Sequence, residues 1–236
     1  MTTVARLDGL THVACVTLGT VQQRARSAED KAQRAEDLLA AAQDLAAELG
    51  GARHVTLAAV TERAGLHPSG VRRYFASKEE LLLELAERGW RQWRDGIRAE
   101  IGTRTGLGPS DTAAVLSDTI VALPTFCDLL THVPLSLEGD VDIERARRYK
   151  TNAFAAHDDI VRALDQASLM TFAQIQNLLP AALALASSFW QVAHPTPTLA
   201  ALYEQVPQWG HVAFDFAPRL SRLLEAAAIG LTETTT

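Results

Sequence analysis

Apolar positions along this chain recur at helical spacing, and β-branched alternation does not. Leu38, Ala42, Leu45 and Leu49 share one face, Leu39 and Ala46 widen it, and Gly50-Gly51 stops the segment. Its start is placed at Ser27-Ala28-Glu29-Asp30, where an acid three residues after a serine forms a capping box. Residues 1–26 show no clear period and are expected to form an N-terminal arm. A short helix is expected from an N-cap at Thr56 to Ala64, followed by Gly65 in the left-handed turn conformation. Pro68 suits the first position of a next helix reaching about Phe75. Ser77-Lys78-Glu79-Glu80 is a second capping box, and the long helix after it carries Leu81, Leu82, Leu85, Trp93, Ile97 and Ile101. Three glycines between Gly102 and Pro109 mark the expected domain boundary.

The second half continues as helices over about 110–123, 124–133, 142–166, 171–193 and 208–229. Pro124 and Pro134 bracket one of them, Thr171 to Gln174 caps another, and Pro180 is expected to kink it. The pattern predicts an all-α chain: an N-terminal three-helix helix-turn-helix domain over 27–76, a connecting helix over 77–105, and a C-terminal helical domain over 106–236.

Net charge sharpens this division. The charges of residues 1–100 cancel, so the whole balance of −6 falls on residues 101–236. An acidic second half repels polyanions, so any nucleic-acid contact belongs to the first half. No run of apolar residues is long enough for a membrane span, and no signal peptide is read at the start. Cys15 and Cys127 form neither a disulfide framework nor a zinc motif, and a reducing cytoplasm is the simplest compartment.

Two short helices joined by a glycine turn match the helix-turn-helix, whose second helix enters the DNA major groove. Leu57, Val60, Ala64, Leu66, Val71 and Phe75 supply its small core, leaving Ser69, Arg72 and Arg73 outside. An arginine can bond guanine O6 and N7 together. Thr56 and Lys78 stand at helix N-termini, which attract phosphate, and the Tyr74 hydroxyl is long enough to join them.

The stretch TLAAVTERAGLHPSGVRRYFASKEELL resembles the DNA-binding motif of the TetR family of bacterial transcriptional regulators. The matching features are Thr56, Ala58-Ala59, Ala64-Gly65, Phe75, Ser77-Lys78 and Leu81-Leu82, within a likeness over about 28–95. The chain departs from the pattern at Arg72, where most members carry a tyrosine, and at His67, where a serine or threonine is usual. The resemblance implies phosphate contacts from Thr56, Tyr74 and Lys78 and base-edge contacts from Pro68, Ser69, Gly70, Arg72 and Arg73. Arg24 and Arg26 would then precede the first helix as a minor-groove arm.

Elsewhere, no catalytic, metal or cofactor site is expected. The rival enzyme reading, a helical metal-dependent hydrolase, would need His157-Asp158 to converge with His132 and Asp215. A second rival is a DNA-binding dimer without a ligand. The favoured reading is an effector-responsive repressor, binding double-stranded operator DNA as a homodimer with a palindromic site. Phe126, Leu130, Phe154, His157, Phe172 and Trp190 are candidates to hold a small apolar or amphipathic effector, with His132, Gln174 and His194 as further polar groups. Arg145, Arg147 and Arg148 are candidates to line its entrance. The dimer surface is expected on helices 171–193 and 208–229, through Ala181, Ala182, Ala184, Ala186, Ala213 and Ala217 with Leu220, Leu223 and Leu224.

Overall fold

The computed structural model describes residues 10–67, 70–212 and 214–233, with side chains from Glu29 onward except at 211 and 212. Its named elements among the described residues are helices and helical turns, as the apolar spacing requires. Helix α1 spans Leu10–Glu48, so the helix begins well before the expected cap, and Ser27 lies inside it. Residues 10–26, expected as an arm, therefore continue the first helix, and no proline interrupts them. A 3-10 turn over Ala52–His54 leads to α2 (Leu57–Arg63), and a second 3-10 turn over Val71–Arg73 leads to α3 (Lys78–Ile101).

Then follow α4 (Pro109–Val121), α5 (Pro124–His132) and α6 (Ile143–Ala167). The chain closes with α7 (Phe172–Ala193), α8 (Pro197–Gln205) and α9 (Phe216–Glu233). Helix α5 ends one residue short of its predicted limit. Pro134 has no N–H to continue the ladder, and Val133–Leu137 winds as a π-turn closed by the Glu138 N–H on the Val133 carbonyl. Helix α9 starts at Phe216 rather than at 208. Pro218 is tolerated only in a first turn, where its missing N–H costs nothing, so the helix opens just before it. Helix α7 runs through Pro180 as one element.

Helix α3 joins the two halves. Its first turns cover the helix-turn-helix core, while Trp90, Trp93 and Ile97 are buried among later helices. Trp90 and Trp93 pack on Phe126 of α5, with ring centroids 5.6 and 6.2 Å away. Their indole N–H groups donate to the Tyr149 hydroxyl and to Thr119 Oγ. Gly89 makes this approach possible, since a Cβ there would lie 2.3 Å from Phe126 Cδ2. The glycine loop 102–109, expected as the domain boundary, is a tight connection between α3 and α4. Leu107 pins it to the end of α6, donating to the Ala167 carbonyl and accepting from the Leu169 N–H. The second half of α3 thus belongs with the C-terminal core. Helix α9 packs on α4 and α7, and α6 packs along α3.

Candidate functional site

The helix-turn-helix is assembled as the spacing demands. Thr56 Oγ accepts the Ala59 N–H and caps α2. Gly65, at φ 64°, ends α2: its N–H donates to the Glu62 carbonyl and the Leu66 N–H to the Thr61 carbonyl. That pairing is a Schellman stop, and glycine supplies its left-handed residue without strain. Val60, Val71 and Phe75 are buried, with Leu57, Ala64 and Leu66 packed partly against them. Ser77 Oγ caps α3 through the Glu80 N–H, and Glu80 reaches back to the Ala76 N–H.

The expected recognition helix is shorter in its described part than the sequence suggested. Pro68 and Ser69 lie outside the described residues. Gly70 to Tyr74 form a 3-10 turn with Val71 buried and Arg72 and Arg73 exposed. Gly70 comes close to the His67 carbonyl, 3.1 Å from where a Cβ would sit, which favours glycine. The arginines are not equivalent. Arg73 and Tyr74 face a groove against α1 lined by Asp30, Lys31, Arg34 and Asp37, and Arg72 is not part of that lining. Tyr74 is half-buried against the core.

Lys78 stands at the start of α3 and donates from Nζ to the Arg53 carbonyl at 2.7 Å. That bond ties α3 to the 3-10 turn ahead of α2, and two ammonium donors remain. Arg53 and His54 on this turn are exposed, beside the Thr56 cap, and Arg53 Nε donates to His54 Nε2 at 2.9 Å. These two residues escaped the sequence reading. The signal was there: a basic pair two residues before an N-cap. Arg53, Thr56, Arg72, Arg73 and Lys78, all exposed or partly exposed within one short stretch, offer cations and helix-end N–H groups, the equipment of a phosphate and base-edge contact. The side chains of Arg24 and Arg26 lie outside the described residues.

The six proposed effector contacts do not come together. Phe126 is 3% exposed and spent in the core against Trp90 and Trp93. Phe154 and Phe172 are 62% and 47% exposed, on α6 and at the start of α7. Leu130 packs partly against the core, and His157 pairs with the adjacent Asp158. The reason is register: α6 turns Ala153, Ala156 and Ile160 inward, which leaves Phe154 and Asp158 outside. Gln174 completes the α7 capping box and donates to the Leu231 carbonyl. Arg145 is buried in ion pairs with Glu84 and Glu87 rather than free at an entrance. Among the described residues, no three His, Cys, Asp or Glu side chains form a group able to hold a metal, so His132, His157, Asp158 and Asp215 assemble no hydrolase centre.

Trp190 lines an apolar cleft of about 270 Å³ with Ala46, Ala47, Gly50, Gly51, Pro124, Thr125, Asp128 and His194. Its floor carries a polar joint. Asp128 is 6% exposed and accepts the Ala52 N–H at 2.6 Å and Gln191 Nε2 at 2.9 Å. His132 Nε2 stands 3.6 Å away. Burial works to raise this carboxyl, but His132, the Ala52 N–H and Gln191 outweigh it and hold the group below the ordinary aspartate range. Cys127 beside it is buried and inert, its thiol pushed up to about 12 by desolvation.

Among curated proteins, none matches the chain. Family models do. Residues 38–85 match the model for bacterial regulatory proteins of the tetR family, and residues 87–235 match a tetracyclin repressor-like C-terminal domain. The two meet within α3, where the packing changes from one core to the other. With the helix-turn-helix formed, its arginines outward and both halves matched in order, the chain belongs to the TetR family and is a DNA-binding transcriptional regulator.

Proposed function

We propose that this regulator is a repressor that binds a palindromic operator as a homodimer and releases it when a small molecule binds. The observation that carries the reading is the exposed Arg72 on a turn framed by the Thr56 cap and by Lys78. A unit this small reaches only a few base pairs, and a two-fold dimer doubles the site and fixes the half-site spacing. Thr56, Tyr74 and Lys78 are the proposed phosphate contacts, joined by Arg53. Arg72 is the proposed reader of a base edge, with Pro68, Ser69, Gly70 and Arg73 beside it.

The dimer surface fits the outer faces of α7 and α9. Ala182, Ala186, Leu220 and Leu224 are turned into the core and are spent there, and Ala213 lies outside the described residues. Ala173, Pro180 and Ala184 on α7, with Leu223 and Ile229 on α9, remain exposed. Small side chains there permit close helix approach, and the leucine and isoleucine supply apolar area. Sedimentation of the full chain tests this. Two chains per operator duplex are expected, and Leu223→Glu should yield a monomer with sharply weaker operator binding. A wild type that is monomeric on DNA would contradict the proposal.

A further inference from the structure

We infer that the cleft between the end of α1, α5 and α7 is a binding site for a compact aromatic cation, and that occupancy there shifts the DNA-binding half against the rest. The inference of a shift rests on the effector-responsive reading above; the site itself does not.

Three features of the cleft select the ligand. Its volume, about 270 Å³, lies just under the roughly 300–1,000 Å³ of drug-sized sites, so the occupant is small, on the order of two fused rings. Its walls are aromatic and aliphatic: Trp190 and His194 are stacked 3.8 Å apart, and Pro124, Ala46 and Ala47 complete them. The stack is pinned, because His194 Nδ1 sits 2.9 Å from the Trp190 carbonyl. The third feature is charge. Asp128 is the one acid in the lining, and no lysine or arginine joins it. A carboxylate offers about four lone-pair sites; the Ala52 N–H and Gln191 occupy two at hydrogen-bond length, and His132 Nε2 stands 3.6 Å from a third. Acceptor capacity remains on a group held ionised. A cationic head meets that carboxylate while its aromatic body meets the apolar walls, whereas an anion would be repelled by the carboxylate.

The placement gives the site its consequence. Ala46, Ala47, Gly50 and Gly51 belong to the DNA-binding half; Pro124, Thr125, Asp128, Trp190 and His194 belong to the other. Gly50 and Gly51 both have positive φ, 73° and 142°, and they form the turn from α1 into the 3-10 segment that holds Arg53. Asp128 holds the first N–H of that same segment. A ligand touching both walls therefore fits one relative placement better than another, which is the requirement for shifting an equilibrium. The same 3-10 segment is bonded to Lys78 through the Arg53 carbonyl, so a displacement reaches the proposed phosphate contacts directly.

The test uses the full-length protein and a matched pair of probes, 2-naphthylmethylamine and 2-naphthoate, titrated by calorimetry. The amine should bind and the carboxylate should not at the same concentration. Asp128→Asn, which keeps an acceptor for Ala52, should weaken the amine by about tenfold or more, as loss of a charged hydrogen-bond partner implies. Ala47→Phe fills the cleft from an exposed helix position that folding tolerates, and should abolish binding. Failure of the amine to bind, equal binding of both probes, or amine binding unchanged in both variants would overturn the site. A second titration measures operator affinity with and without the amine, where a change of about tenfold is expected. Amine binding with the predicted sensitivities but no change on DNA would keep the site and overturn its role as the effector switch.

Discussion

The joint at Asp128 and the joint at Glu84 and Glu87 both tie the first half of the chain to later helices, yet they are built oppositely. At Glu87, Arg145 donates at 3.2 Å, Asn152 at 2.6 Å and Arg91 at 3.2 Å, and Arg145 also reaches Glu84. The Arg145 and Glu87 side chains are only 3% and 4% exposed, so this network is sealed. Asp128 instead borders an open cleft and holds a backbone N–H of the DNA-binding half with a single oxygen. A sealed multidentate pair resists sliding of α6 on α3. A carboxylate that lines a cleft and holds one backbone N–H across the junction is the weaker tie. Rigidity thus falls to α3 with α6, and adjustability to the α1–α5–α7 junction.

The largest effect expected is on the rigid joint. Arg145→Ala leaves Glu87 buried without its main partner, which costs about 3–5 kcal/mol. For a chain of this size the melting midpoint should fall by roughly 2–4 °C per kcal/mol. Thermal unfolding measures it, and a shift of only a degree or two would mean that the network is not the rigid element.

The adjustable joint should respond less. Asp128→Ala strands the buried Ala52 N–H and should cost about 1–3 kcal/mol, while Asp128→Asn should cost less. The sign with pH follows from the depressed carboxyl. Its folded value lies below the ordinary 3.8, so its contribution is complete above that value and is lost as pH falls through the folded one. Acid unfolding of Asp128→Asn should therefore be shallower below about pH 4 than that of wild type, by the same linkage. Equal acid limbs would mean that Asp128 is not held ionised by its neighbours.

On DNA the effects are local. Arg72→Ala should cost about 1–3 kcal/mol of discrimination per half-site. Arg73→Ala should cost less discrimination, because Arg73 shares its groove with the acids of α1. The reverse order in competition binding would exchange the roles of the two arginines. Smallest of all, Lys78→Ala should weaken every duplex about equally and flatten the salt dependence by about one unit. Loss confined to the specific site would make Lys78 a base reader.

The helix-turn-helix was legible because its determinants are local: a cap, a glycine stop, a capping box and apolar residues at short spacing. The family resemblance read from those residues agrees with both family matches. The pocket was not legible, because whether an aromatic faces core, cleft or solvent depends on helix register and on distant partners. Phe126 looked like Phe154 in sequence, but only Phe126 meets Gly89, whose missing Cβ admits its ring. Arg145 looked like Arg147, but only Arg145 turns toward Glu87. The Asp128 joint links residues 76 apart in the chain, and no pattern in the sequence connects them. The start of α1 was missed because residues 10–26, rich in threonine and valine, carry neither a cap nor a clear amphipathic period.

The 3-10 turn of Val71–Arg73 is proposed to read operator sequence, with Arg72 at a base edge. Selection of random duplex DNA by wild type and by Arg72→Ala, side by side, tests it most directly. A two-fold symmetric motif is expected for wild type, with loss of preference at one base pair in each half-site for the variant. An unsymmetric or absent wild-type motif, or identical motifs from the two proteins, would contradict it.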